Sequence, residues 1–334
     1  MRAWIAPAGC KSTSELRIVE RPDPAPASTQ VVVRVRATSL NYRDQLVTSG
    51  HYFGGVLSRD TIPLSDGAGE VTAIGPGVSR FKPGDRVAAT FFQPVPAGAP
   101  RAALGTPLDG MLSEYVMLPE DGLVPIPAHL SYEQAACLPC AGVTAWHALF
   151  RAGRPVTAAS TVMVLGTGGV SIAALQFARS AGARVIATSS SDEKLARVKA
   201  LGAADGINYT RTPEWAQEVR RLTGGRGVDC VVEIGGAGTL SRSMQSLAPF
   251  GKICLIGFLA GREGDTNPMP LMLIGGSLHG IFVGDREMFE EMNRAIETNR
   301  IAPVVDRVFP FDEAPAAYRH HASGNFVGKV VIAV

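Results

Sequence analysis

The sequence predicts an α/β protein in which a doubly wound parallel sheet is inserted into a β-rich unit, and three observations carry that prediction. The stretch 161–188 reads as a short apolar strand, a turn Gly166-Thr167-Gly168-Gly169, an amphipathic helix and a second strand. Near Ser131 the texture changes, from short β runs broken by turn signals to helices alternating with β-branched strands, the pattern of βαβ units. The end of the sequence, around Lys329-Val330-Val331-Ile332, returns to the β character of the beginning. The expected division is a β-rich domain over 1–128, the inserted domain over 129–284 and a return to the first domain over 285–334, with the ligand cleft expected between the two domains.

Each element has its own reason. Residues 30–37 and 69–74 alternate apolar and polar positions as strands do, and Gly75-Pro76-Gly77, Lys82-Pro83-Gly84-Asp85 and the proline-rich 94–100 supply turns between such runs. In the inserted part, helices are expected over 192–201 and 215–223, with strands over 184–188, 228–234, 252–257 and 277–283. A helix over 286–298, a strand over 304–309, a helix from Asp312 and a strand over 328–333 complete the chain. In the helix after the glycine turn, Val170, Ala174, Phe177, Ala178 and Ala181 share a face, and the alanines allow close approach to a sheet.

Composition narrows the chemistry. The chain has 334 residues, enough for two domains and a large core, and its net charge of +2 provides neither a basic stripe for nucleic acid nor an acidic tail. No apolar run reaches the ~18 residues that suggest a membrane helix, and the first residues lack the apolar region of a secretion signal, so a cytoplasmic location is expected. Five scattered cysteines imply reduced thiols rather than a disulfide framework.

The glycine turn points to a dinucleotide. Glycine lets the backbone bend sharply out of the strand and lets a diphosphate approach the N–H groups at a helix start, where the helix dipole also favours anions. Gly166, Thr167, Gly168, Gly169 and Val170 are the expected contacts, although Ser171 replaces the third glycine of the usual pattern and an ordinary strand-turn-helix remains the alternative. NAD sites place a carboxylate about 20 residues past the glycines, at the end of the second strand. Here that position is Thr188-Ser189-Ser190-Ser191, so Ser189 and Ser190 point to the 2′-phosphate of NADPH rather than to NADH. The rival reading is a capping box, with Ser190 capping the next helix and Glu193 reaching back. Gly235, Gly257 and Phe258 lie at strand ends where the nicotinamide half of a ligand is expected, and Val283 ends the next strand on the same edge.

A wider succession of residues carries a resemblance: Leu40-Asn41-Tyr42-Arg43-Asp44, Gly67-Ala68-Gly69-Glu70-Val71, Lys82-Pro83-Gly84-Asp85-Arg86-Val87, Pro139-Cys140-Ala141-Gly142-Val143-Thr144, the glycine turn and Gly328-Lys329-Val330-Val331. In this order they resemble the medium-chain dehydrogenase/reductase superfamily, and within it the zinc-free quinone oxidoreductases and enone or enoyl reductases. The resemblance implies a GroES-like β domain enclosing a Rossmann domain, a homodimer, and hydride transfer from a nicotinamide nucleotide to a small quinone or carbonyl substrate. It also implies Lys194 on the 2′-phosphate, Tyr209 near the adenosine half and Thr144 beside the nicotinamide. The superfamily's catalytic zinc ligands fall on Asn41, Ser65 and Cys140, and residues 91–115 lack the cysteines of a structural zinc lobe, so no zinc is expected. Cys137-Leu138-Pro139-Cys140 is a CxxC in an apolar run and reads as packing.

Without a metal, the acceptor carbonyl needs hydrogen-bond donors, and Asn41 and Tyr42 supply an amide and a phenol where the metal would be. Tyr52 falls where similar enoyl-thioester reductases place a proton donor, with His51 as the alternative. Arg43 with Asp44 reads as a structural pair, and Asp66 as a loop anchor. The loops 53–61 and 91–108 are expected to line the substrate site. Two rivals stay open: an alcohol or aldehyde dehydrogenase of the same fold, and a non-enzymatic NADPH-binding redox sensor.

Overall fold

Alternating patterns along the chain build two sheets, seen in a computed structural model that describes residues 1–264 and 266–334. The chain divides into one unit made of Met1–Val143 with Asp285–Val334 and a second made of Thr144–Gly284. The expected boundary after residue 128 is therefore early: the helical segment Tyr132–Ala135 and the turns through Gly142 belong with the first unit, because Ala135, Ala136 and Leu138 are buried and Ser39 Oγ donates to the Ala136 carbonyl at 2.7 Å.

In the first unit the seven-stranded sheet runs, in spatial order, Val305–Pro310, Lys329–Ala333, Gln30–Ser39, Asp66–Ile74, Arg86–Ala89 and Leu123–Pro125, with Tyr115–Pro119 also paired to Gln30–Ser39. Only the pair formed by the two late strands is parallel; the others are antiparallel. The late strand Lys329–Ala333 pairs Val331 with Ser39 on one side of Gln30–Ser39, and Asp66 pairs with Ser39 on the other. This register brings residues 39–41, 66 and 329 together at one sheet end. Val31, Val33, Val35, Val71, Val87 and Leu118 form one apolar cluster, and Trp4, Leu40, Phe311, Tyr318 and Ile332 another.

The second unit carries a six-stranded parallel sheet in the order Asp205–Asn208, Arg184–Ser189, Thr161–Val164, Val228–Glu233, Leu247–Leu255 and Ser277–Gly280. The strand order reverses beside Thr161–Val164, which is the switch point of a doubly wound sheet. Helix Gly169–Ser180 buries Ser171, Ile172, Ala174, Leu175, Phe177 and Ala178. The buried face is thus turned from the expected one, and Val170 and Ala181 are only half-buried, because Ile172 and Leu175 are the larger apolar groups. The last strand stops at Gly280 rather than Val283.

Candidate functional site

In the second unit the glycine turn joins the strand Thr161–Val164 to the helix Gly169–Ser180. Gly166 adopts a φ of +71°, and its N–H donates to Thr188 Oγ1 at 3.2 Å, tying the turn to the neighbouring strand. Ser171, at the third glycine position, donates from Oγ to the Leu165 carbonyl at 2.6 Å and so closes the turn from inside the helix. Gly168 is the N-cap of a 12-residue helix, and a Cβ built on it meets no atom within 4 Å. Open space at a helix start suits a diphosphate. Thr167 is buried and Val170 half-buried beside it.

At the end of the second strand the reading needs correction. The helix Asp192–Ala200 is capped by Ser191, which accepts the Lys194 N–H at 3.3 Å, and not by Ser190. Ser189 is buried and accepts the Ser191 N–H at 3.2 Å, whereas Ser190 is exposed. Asp192 is occupied: Asn208 Nδ2 donates to Oδ1 at 2.7 Å and Arg211 pairs with Oδ2 at 2.5 Å. Arg211, in the turn after the strand Asp205–Asn208, is a cation at this corner that no motif in the sequence pointed to. Tyr209, just past that strand, is exposed.

On the other half of the sheet Glu233 organises the loop. Fully buried, it accepts through Oε1 from the Gly235 and Gly236 N–H groups at 2.7 and 3.1 Å and from Thr239 Oγ1 at 2.6 Å, and through Oε2 from Ser243 Oγ. Gly257 passes so close to this loop that a Cβ there would stand 2.6 Å from the Ile234 carbonyl oxygen. Phe258 follows, with the Arg262 guanidinium 4.3 Å above its ring. Val283 has a φ of +55°, a strained conformation for a β-branched residue, and its carbonyl accepts from His147 Nδ1 at 2.7 Å. His147 thus holds the carbonyl of a strained residue. Thr144 is buried in the short helix Val143–Trp146.

In the first unit the candidate chemistry gathers around the helix Tyr42–Thr48. The Asn41 N–H donates to Asp44 Oδ2 at 2.7 Å, and Tyr42 is exposed on the first turn. Arg43 does more than pair with Asp44, whose nearest oxygen is 3.8 Å away. Its guanidinium lies 4.8 Å from the rings of both Tyr52 and Phe91, donates from Nη1 to the Leu104 carbonyl at 2.9 Å and from Nε to Tyr52 Oη at 3.3 Å. An acceptor role toward arginine leaves the phenol its own proton to give. His51 is exposed, with Nδ1 3.1 Å from Ser49 Oγ. Burial raises the carboxyl of Asp44 to about 6, against the pull of Arg43.

The three positions that resemble zinc ligands are linked by other chemistry. Lys329 Nζ donates to the Leu40 carbonyl and to Asn41 Oδ1, each at 2.6 Å, and lies 3.6 Å from Asp66 Oδ2. Asp66 in turn accepts from Ser65 Oγ at 2.8 Å and from the Cys140 N–H at 3.2 Å. Burial pushes the Cys140 thiol well above its ordinary range, and that of Cys137 up to about 12. An amide, a hydroxyl and a protonated thiol around a fixed ammonium do not fit a tetrahedral zinc, which needs thiolate or imidazole ligands. Among the described residues no cluster of three or more His, Cys, Asp or Glu has metal-binding geometry.

These features, a switch-point glycine turn in a parallel sheet and a β-rich unit that closes on its own late strand, define a two-unit nucleotide-dependent oxidoreductase class. Residues 27–128 match the family described as alcohol dehydrogenase GroES-like domain, and residues 169–298 that described as zinc-binding dehydrogenase. A zinc-type alcohol dehydrogenase-like protein of Schizosaccharomyces pombe is 45% identical over 91% of each chain, and the quinone oxidoreductase of Rattus norvegicus 29% identical over 92% of this chain and 90% of its own. A crystal structure of an NAD-dependent alcohol dehydrogenase is 35% identical with a TM-score of 0.91, and a mycobacterial protein complexed with NADPH 29% identical with a TM-score of 0.83; both alignments cover the whole of each chain. The chain belongs to the medium-chain dehydrogenase/reductase superfamily.

Proposed function

We propose that the protein is an NADPH-dependent reductase of quinones or α,β-unsaturated carbonyl compounds that works without zinc. The observation that carries this reading is the Lys329 ammonium set among Asn41, Asp66 and, through Asp66, Ser65 and Cys140, where a metal-dependent relative would need thiolate and imidazole ligands. The nucleotide, when bound, supplies the hydride. The turn 166–170 with Thr144, Gly235, Gly257, Phe258 and Val283 is proposed to hold its diphosphate and nicotinamide halves. Ser189, Ser190, Lys194 and Tyr209, joined by Arg211, are proposed to hold the phosphorylated adenosine end. Asn41 and Tyr42 donate hydrogen bonds to the acceptor oxygen, where negative charge develops as hydride arrives. Tyr52, held by Arg43, gives the proton that completes reduction of an enone or enoyl thioester.

The test is steady-state oxidation of NADPH and NADH against quinones, enones and enoyl thioesters, with metal analysis of the same preparation. Turnover with NADPH by metal-free protein is expected. A second reading, an alcohol or aldehyde dehydrogenase, is favoured by the names of the Schizosaccharomyces pombe relative and the NAD-dependent structure. Stoichiometric zinc with alcohol oxidation would replace the first reading by the second. Tight NADPH binding with no turnover would favour a redox sensor.

A further inference from the structure

We propose that Lys329 is a positioning residue for Asn41, fixing which end of its carboxamide is presented to the acceptor; the inference rests on the reading above, in which Asn41 contacts the substrate oxygen. The sheet register sets the geometry. Lys329 opens a strand whose Val331 pairs with Ser39, and the Leu40 N–H donates to the Val330 carbonyl at 3.0 Å, so the lysine side chain emerges beside the segment 40–41. Asp66 starts the strand on the opposite side of Ser39 and draws the ammonium inward from 3.6 Å.

An ammonium has donors and no acceptor, whereas a carboxamide has one end of each kind. Lys329 therefore takes Oδ1 of Asn41, at 2.6 Å, and would repel Nδ2. The amide cannot turn over without losing this bond. Nδ2 is buried and has no acceptor among the described residues. A buried donor without an acceptor is costly, and an acceptor oxygen arriving there would relieve that cost. The cation on Oδ1 also polarises the amide and strengthens Nδ2 as a donor.

The test is a double-mutant cycle on kcat, with KM for NADPH and melting temperature measured on every variant. Asn41→Ala is expected to lower kcat about a hundredfold, as loss of one oxyanion donor does. Lys329→Met is expected to lower it about tenfold, as loss of an outer-shell partner does, with KM for NADPH unchanged. The double variant should be no slower than Asn41→Ala, and Lys329→Arg should recover part of the rate. Asn41→Asp keeps an oxygen toward Lys329 and removes the donor: it should melt no lower than wild type yet be as slow as Asn41→Ala. Asn41→Asp tests the donor end, and Lys329→Arg, which keeps a cation toward Oδ1, tests the positioning even where Lys329→Met does not fold. Effects that multiply in the double variant, or wild-type kcat in Asn41→Asp, would overturn the inference and leave the reductase reading standing. A wild-type protein that reduces none of the acceptors overturns both.

Discussion

Arg43 is buried between two aromatic rings with its donors spent on carbonyls and on one phenol, an arrangement that holds Tyr52 by both its ring and its oxygen. If Tyr52 is the proton donor, Tyr52→Phe should lower kcat about a hundredfold on enones and enoyl thioesters and much less on quinones, whose reduced oxygens take protons from solvent; equal losses on both classes would contradict it. At the other end of the nucleotide, Lys194→Ala should raise KM for NADPH about tenfold and leave that for NADH in place. His321 gives a pH prediction. Burial, with Lys329 and His320 nearby, depresses it to about 3, and Nδ1 faces Gln45 Nε2 at 3.5 Å. A depressed histidine adds stability above the unfolded value near 6.5 and loses it as pH falls toward 3. His321→Gln should therefore flatten the fall in melting temperature between those limits. Of these residues, Tyr52 and Lys194 were singled out in the sequence by motif position, and the two variants above test their roles. Arg43 and Lys329 were not legible in their roles, since their partners lie 61 and 288 residues away.

Among the elements, the helix Asp192–Ala200 shows where local pattern stops being decisive. Three serines in a row all qualify as caps, and only the path of the preceding strand selects Ser191. Ser191→Ala should cost about 1 kcal/mol of stability and Ser190→Ala less than about 0.5 kcal/mol, measured by urea unfolding. The end of the last parallel strand was misplaced for a related reason. Residues 277–283 are apolar enough to read as one strand, but pairing to Leu247–Leu255 ends at Gly280, and His147 then holds Val283 in a left-handed conformation that no strand contains. Periodicity reports which residues are apolar; it does not report where a neighbouring strand ends.

For the whole molecule, the inserted architecture was legible because β texture at both ends and βαβ texture between them are composition-level signals. The boundary was expected early, after residue 128 rather than after Val143, for want of any signal that the segment after Ser131 packs against the first sheet. The edge strand Ser277–Gly280 leaves Leu278 and Phe282 exposed, with Met272 and Leu273 on the helix before it. An apolar edge of this kind is a surface for pairing with a second copy. We expect a homodimer by light scattering and a monomer after Leu278→Lys with Phe282→Glu; a monomeric wild type would remove the proposal. The bond between Lys329 and Asn41 has a consequence in time as well as in space. The second unit is contiguous and is complete in the nascent chain before Lys329 is made, whereas the first unit has to keep its opening strands waiting for a partner translated after the whole of the second unit. During synthesis, then, the glycine turn can form while the Asn41 amide is still free to rotate, and that amide is fixed only when the strand Lys329–Ala333 docks.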